Sequence, residues 1–249
     1  MTRRRILITG ASAGLGRGMA LQFAARGRHL ALCARRLHEL ESLRTEIVTR
    51  YPEVTVVIRE LDVTDTARVF SVFEELRAAL GGLDRIIVNA GIGRGVSVGE
   101  GGLARNLELV RTNFTAALVQ CEAAVAIFKR QNAGHLVTMA SVAAIRGLPG
   151  GQTVYAATKA GLASLSEGIR ADLWQTPIRV TALYPGYIES EIGAGARRRP
   201  FLVDTQTGCR ALVRAIESER ARSIVPYWPW ASVVWLMRHM PFSLLVRLL

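Results

Sequence analysis

Seven short apolar runs, separated by longer amphipathic ones, constrain this chain more than any other feature. The runs are RILIT (5–9), HLALCA (29–34), VTVVIREL (54–61), DRIIVNA (84–90), HLVTMAS (135–141), IRVTALY (178–184) and SIVPY (223–227). Their Val, Ile and Leu stand on consecutive positions instead of alternating with polar residues, as strands covered on both faces require. Between them, RLHELESLRTEIVTR, DTARVFSVFEELRAAL and NLELVRTNFTAALVQCEAAVAIFKR repeat apolar residues at three- and four-residue spacing, with Asp65 placed to cap the second. Strand and helix in alternation give an α/β fold: a doubly wound, mainly seven-stranded parallel sheet with helices on both faces and right-handed crossovers. A chain of 249 residues fills one such domain. Residues 1–227 are expected to form it, with 228–249 left as an apolar, tryptophan-rich tail.

The net charge of +12 raises nucleic acid, an anionic membrane and an acidic ligand as partners. Most arginines are scattered through helical segments, as on a solvated face. The clusters Arg3–Arg5 and Arg197–Arg199 lack interleaved aromatics and any base-reading motif, so no nucleic acid is expected. Cys33, Cys121 and Cys209 are odd in number, widely spaced and outside any CxxC or Cys/His cluster. They read as buried or inert thiols, with no disulfide framework and no metal site. The opening MTRRRILITG has too short an apolar run for a signal peptide, so a cytoplasmic protein is expected.

In such a sheet, ligands bind at the carboxyl ends of the strands. The first strand runs into TGASAGLG, which places Gly10, Ser12, Gly14, Leu15 and Gly16 in the turn that opens the first helix. Glycines there let the backbone approach a pyrophosphate, whose charge meets the N–H groups and positive dipole end of that helix. The spacing is GxxxGxG rather than GxGxxG, and GK[ST] is missing, which excludes a P-loop.

The chain resembles the short-chain dehydrogenase/reductase family, with a Rossmann-like fold, from Arg5 to about Pro226. The resemblance is carried in order by the glycine turn, Asp62-Val63, the NAG of Asn89, Ala90 and Gly91, Asn113, Ser141, YAATK (155–159) and Pro185-Gly186. It implies that Asp62 and Val63 contact an adenine, that Asn89 to Gly91 shape a cofactor channel, and that Pro185, Gly186 and Ile188 hold a nicotinamide. It also implies a catalytic set of Asn113, Ser141, Tyr155 and Lys159, a lid over about 187–200, and a homodimer or homotetramer. Two departures are visible: Val88 stands where an asparagine is frequent, and Ser190 where a threonine often binds the carboxamide.

Tyr155 and Lys159 lie one turn apart on a predicted helix, hence on one face. Lysine occurs only at Lys129 and Lys159 in a chain with 32 Lys+Arg, so an ammonium at 159 is a selective choice. A phenol titrates near pH 10, and a neighbouring ammonium is expected to bring it down toward the working range of an acid–base catalyst. By the resemblance, Ser141 orients the substrate oxygen, while Asn113 kinks its helix and holds a water that links Lys159 to solvent. The reaction implied is hydride transfer between a nicotinamide and a carbonyl or secondary alcohol carbon, with Tyr155 handling the proton.

For the cofactor, the second strand ends CARR, with Ala34 where a dinucleotide fold places the acid that accepts the ribose hydroxyls of NAD. Arg35 and Arg36 suit a 2′-phosphate instead, so NADP(H) is expected. The alternatives are a NAD-dependent alcohol dehydrogenase and an idle dinucleotide-binding module that regulates a partner. Val142, Ala143, Ile145, Leu148 and Pro149, with Tyr187 opposite, suggest a small apolar, lipid- or steroid-like ketone or alcohol. Gly193 and Gly195 suit a lid that moves. In the tail, the uncharged run Ser223–Met237 is broken by Pro226 and Pro229 and is shorter than the roughly 17–25 residues of a spanning helix. Two readings of it stand. One is a segment on the inner face of a membrane, with Trp228, Trp230 and Trp235 at the interface and Arg238, His239 and Arg247 toward headgroups; the other is an arm packed between subunits.

Overall fold

The protein is described by a computed structural model that covers residues 3–190 and 199–248. All seven apolar runs are strands: β1 Arg5–Thr9, β2 His29–Ala34, β3 Val56–Glu60, β4 Arg85–Val88, β5 Gly134–Met139, β6 Ile178–Pro185 and β7 Arg222–Val225. They form one sheet in the order β3-β2-β1-β4-β5-β6-β7, and every neighbouring pair is parallel. The chain therefore leaves the centre in one direction through β2 and β3, then returns and builds outward through β4. That reversal lies between β1 and β4, where a crevice opens at the carboxyl ends of both strands.

Helices α1 Gly14–Ala24, α2 Leu37–Arg50, α3 Thr66–Ala79, α4 Leu103–Val110, α5 Ala116–Gln131, α6 Thr153–Asp172 and α7 Thr205–Glu217 connect the strands. The sheet is buried on both faces. Met19, Phe23, Leu40, Leu43 and Leu212 pack one side with Ile6, Ile8 and Leu32, while Phe73, Leu76, Phe128 and Leu162 pack the other with Leu7, Ile86 and Leu136. Alternate residues of β1 thus feed opposite cores, which explains why Ile6, Leu7 and Ile8 are apolar in succession.

Two local differences from the sequence expectation have physical causes. The long helix expected over 106–130 is broken by a π-helical turn at Arg111–Thr115 between α4 and α5. Such turns add one residue to the helical repeat without Gly or Pro to announce it. Asp65 does occupy the position before α3, but its side chain makes no capping bond; the backbone closes the turn instead, from Arg68 N to Asp65 O at 3.1 Å. The tail, whose secondary structure the sequence left open, folds as two further helices, α8 Tyr227–His239, kinked where Trp228 has non-helical backbone, and α9 Phe242–Leu248. No helix among the described residues is long and apolar enough to cross a membrane.

Candidate active site

The crevice is a continuous cleft of about 1710 Å³ that runs from β2 past β1 and β4 to the tail. At its centre, Gly10 and Gly14 adopt left-handed backbone, with φ of +65° and +52°. A Cβ on Gly16 would lie 2.3 Å from the Gly10 carbonyl oxygen, so only glycine lets α1 start this close to β1. No side chain caps the start of α1, whose first N–H groups stand beside the cleft. Asn89 joins the two strand ends: its Nδ2 donates to Thr9 O at 2.8 Å, while Thr9 Oγ1 accepts from the Asn89 and Ala90 amides at 3.1 Å each. Gly91 continues this wall, and Leu15 packs inward against the first core.

One end of the cleft is lined by Ala34, Arg35, Arg36, Asp62 and Val63. Ala34 closes β2 and is buried, so no carboxylate stands there. Arg36 Nε lies 3.3 Å from Ser12 Oγ, which places a guanidinium beside the glycine turn. Burial opposes ionisation of Asp62, but hydrogen bonds from Thr64 N at 2.9 Å and Thr64 Oγ1 at 2.7 Å, with Arg35 nearby, outweigh it and hold the carboxyl below its usual range.

The other end holds Ser141, Tyr155, Lys159 and Asn113. Tyr155 and Lys159 stand one turn apart near the start of α6, with the Lys159 ammonium 5.8 Å from the Tyr155 ring centroid. Lys159 is buried and donates to Met139 O at 2.7 Å; burial lowers its pKa to about 8. Ser141 Oγ accepts from Ala143 N at 3.1 Å and hydrogen-bonds the Tyr155 phenol. The π-helical turn presents Asn113 inward, where its Oδ1 accepts from Ile92 N at 2.8 Å and its Nδ2 donates to Ile92 O at 2.9 Å. A Cβ on Gly91 would meet Asn113 Oδ1 at 3.1 Å and Lys159 Nζ at 3.6 Å, so these three groups share one small volume.

The expected lowering of the Tyr155 pKa is corrected by this geometry. Burial raises it, and the opposing influence is the Ser141 hydrogen bond rather than Lys159. The cause is desolvation, which acts on phenol and ammonium alike and favours the neutral form of each.

Beyond Tyr155 the cleft is apolar. Val142, Ala143, Leu148 and Tyr187 line one side, and the tail lines the other through Trp230, Val233, Leu236, Met237, Met240 and Leu245. This wall went unread in the sequence, although Trp230, Val233, Val234 and Met237 repeat at helical spacing, a signal that was available. Trp230 lies against Gly186 and packs edge-on with Tyr187 and Phe201, at centroid distances of 5.6 and 6.0 Å. Arg146 Nη1 donates to Met237 O at 2.9 Å and also to Met240 O, fastening the end of α8 to the loop after β5. Trp230 is therefore buried in protein, away from the interface that one of the two readings of the tail gave it. Pro185 and Ile188 also border the cleft, and Ile188 pairs with Val203. The expected lid falls largely on residues 191–198, so Gly193, Gly195, Arg197 and Arg198 lie outside the described residues.

The sequence model of the short chain dehydrogenase family matches residues 4–200. The chain is a short-chain dehydrogenase/reductase. It is 53% identical over 241 residues to an uncharacterized oxidoreductase of Mycobacterium tuberculosis, across 97% of this chain and 95% of that one. Among solved structures, this short-chain dehydrogenase/reductase resembles one from Sphingobium yanoikuyae in complex with NADPH, with 26% identity, 96% and 97% coverage of the two chains and a TM-score of 0.79. It shares its fold with one from Burkholderia phymatum in complex with NAD, with 22% identity, 98% and 97% coverage and a TM-score of 0.85. As a member of this family it is an oxidoreductase acting on CH–OH groups, and its cofactor is a nicotinamide dinucleotide. The cleft of this short-chain dehydrogenase/reductase fits such a group: a glycine turn and an uncapped helix start stand between the end lined by Ala34, Arg35, Arg36, Asp62 and Val63 and the buried Tyr155–Lys159 pair. Among the described residues no cluster of His, Cys, Asp or Glu could hold a metal, and the three thiols are buried, with pKa values pushed up to about 12.

Proposed function

We propose that the protein is an NADP(H)-dependent carbonyl reductase, or alcohol dehydrogenase in the reverse sense, for a small apolar ketone or alcohol. The observation that carries this reading is the convergence of Ser141, Tyr155 and Lys159 on the point where the glycine-turn half of the cleft meets its apolar half. When bound, the nicotinamide supplies hydride to a carbonyl carbon or accepts it from an alcohol carbon. Tyr155 gives its proton to the carbonyl oxygen, and Ser141 Oγ orients that oxygen. A phenol whose pKa is raised stays protonated at neutral pH, which favours it as the proton donor of the reductive direction. Lys159 would hold a ribose hydroxyl of the bound dinucleotide, and the Ser141 hydrogen bond, which favours ionisation of Tyr155, stabilises the phenolate that remains after transfer. Asn113 keeps the Gly91-Ile92 segment against Lys159.

The choice of NADP(H) rests on Ala34, which supplies no acceptor for the 2′-hydroxyl, and on the Arg35 and Arg36 guanidiniums beside it, which suit a 2′-phosphate. The apolar substrate class rests on the wall shared by Val142, Leu148, Tyr187 and the tail. A panel of ketones of increasing hydrophobicity, followed by NADPH oxidation, tests both. Turnover is expected to rise with apolar size, and failure of every ketone with intact NADPH binding would indicate a binding module instead.

A further inference from the structure

The inner face of the tail lines the cleft, yet its outer face is also apolar. Trp228 is 74% exposed, Phe242 67% and Trp235 63%, with Tyr227, Leu236 and Leu244 also exposed. These residues alternate along α8 and α9 with Trp230, Met237, Met240 and Leu245, which face the cleft. Leu236 does both: it lines the cleft and is exposed, so it marks the mouth. Phe201 and Leu202 extend the same rim, because Phe201 packs against Trp230 while remaining exposed. A soluble surface seldom keeps this many large apolar groups together without an occupant.

Charge indicates which occupant. From residue 220 to the end the chain carries Arg220, Arg222, Arg238 and Arg247 and no Asp or Glu. Arg238, His239 and Arg247 are exposed among the aromatic residues. A second copy seated two-fold on this face would bring its own arginines to the same place and would cover the cleft mouth, whereas an anionic lipid surface neutralises them. Aromatic rings beside cations are the pattern of a helix lying in the headgroup region.

We propose that the outer face of α8 and α9, with Phe201 and Leu202, docks on an anionic bilayer and holds the cleft mouth against it, so that an apolar substrate enters from the lipid. The entry route rests on the proposed apolar substrate; the docking surface does not.

The test uses the full chain and phosphatidylcholine vesicles with and without phosphatidylglycerol. The protein is expected to co-float with the anionic vesicles and to bind at least about tenfold less to neutral ones or in high salt. The combined variant Trp228→Ser, Trp235→Ser, Phe242→Ser lies outside the cleft and is expected to lose flotation by a similar factor, with NADPH binding and thermal unfolding unchanged. Absence of flotation by a parent protein that binds NADPH overturns the docking surface and leaves the proposed reaction standing. A fall in oligomer size in the variant, with no flotation by the parent, overturns it in favour of a contact between copies. Flotation without ketone reduction upholds the surface and removes the proposed reaction.

Discussion

Trp230 lies so close over Gly186 that a Cβ on residue 186 would fall 2.2 Å from the indole nitrogen. Only glycine allows this contact, and the contact sets the wall of the cleft where β6 ends. Gly186→Ala is expected to displace the indole, at a cost of about 1–3 kcal/mol in stability. Turnover should fall at least about tenfold through misplacement of the reacting groups. Trp230→Ala removes a buried indole and is itself expected to cost about 3–5 kcal/mol, but it relieves the clash, so adding Gly186→Ala to it should cost little further stability while turnover stays low. Thermal unfolding and steady-state kinetics on the three variants check this.

The pair Arg36–Ser12 places a cation beside the glycine turn. The wild type is expected to prefer NADPH over NADH by at least about tenfold in kcat/KM, equivalent to roughly 1.4 kcal/mol. Arg35→Ala with Arg36→Ala should remove that preference by weakening NADPH, while Ala34→Asp with Arg35→Ala should reverse it. Equal use of both cofactors by the wild type would contradict the assignment.

Burial lowers Lys159 from the model-compound value of 10.5 to about 8. A lowered lysine pKa means that the folded state releases its proton before the unfolded state does. Stability therefore rises as pH climbs from about 8 toward 10.5, and below about pH 8 burial of the charge costs on the order of 3 kcal/mol. Activity runs the other way if the ammonium is required. The kcat/KM for NADPH is expected to fall above about pH 8, approaching tenfold per pH unit. Lys159→Arg keeps a charge through this range and should abolish that limb, yet turn over poorly because a planar fork fits a ribose hydroxyl badly. A profile flat to about pH 9.5 would show that the titration of Lys159 is not felt.

At the opposite ends of the strands lies a buried ion network. Arg85 Nε donates to His135 Nδ1 at 2.8 Å, Arg85 Nη2 reaches Glu219 Oε1 at 3.2 Å, and Arg3 Nε reaches the same oxygen at 2.9 Å. Since Nδ1 accepts, His135 is neutral and carries its proton on Nε2, toward Thr181 Oγ1 at 2.8 Å. Burial first, then Arg85 and Arg3, hold its pKa well below the usual value. Glu219→Gln leaves the buried Arg85 with only Glu217 to offset its charge and should cost about 3 kcal/mol. For a chain of this size that is a fall of about 6–12 °C in Tm. NADPH affinity should not change, because the network lies at the amino ends of the strands and the cleft at their carboxyl ends.

Much of this architecture is legible in the sequence because buried parallel strands leave a plain mark: the central strands carry consecutive apolar residues, such as Ile6-Leu7-Ile8 in β1 and Ile86-Ile87-Val88 in β4. The turn at Gly10 to Gly16 is equally legible, since close approach and left-handed backbone both demand glycine. What stayed hidden depends on distant packing. The π-helical turn at Asn113 has no breaker residue, and only the family resemblance implied a kink there. The environment of Tyr155 is made by segments far apart in the chain, so a lysine one turn away implied a lowered pKa where burial produces a raised one. Pro226 and Pro229 argued only against a spanning helix; the helical turns of the tail run on from Pro229, since Trp228 has non-helical backbone (φ −99°, ψ 135°).

The claim on which the rest depends is that Tyr155 transfers the proton. The most direct measurement is the kcat of Tyr155→Phe beside its NADPH dissociation constant, with an apolar ketone that the wild type reduces. The phenyl ring keeps the packing and removes only the hydroxyl, so kcat is expected to fall by at least about 10² while the dissociation constant stays within about twofold. Turnover within a few-fold of the wild type would contradict the account.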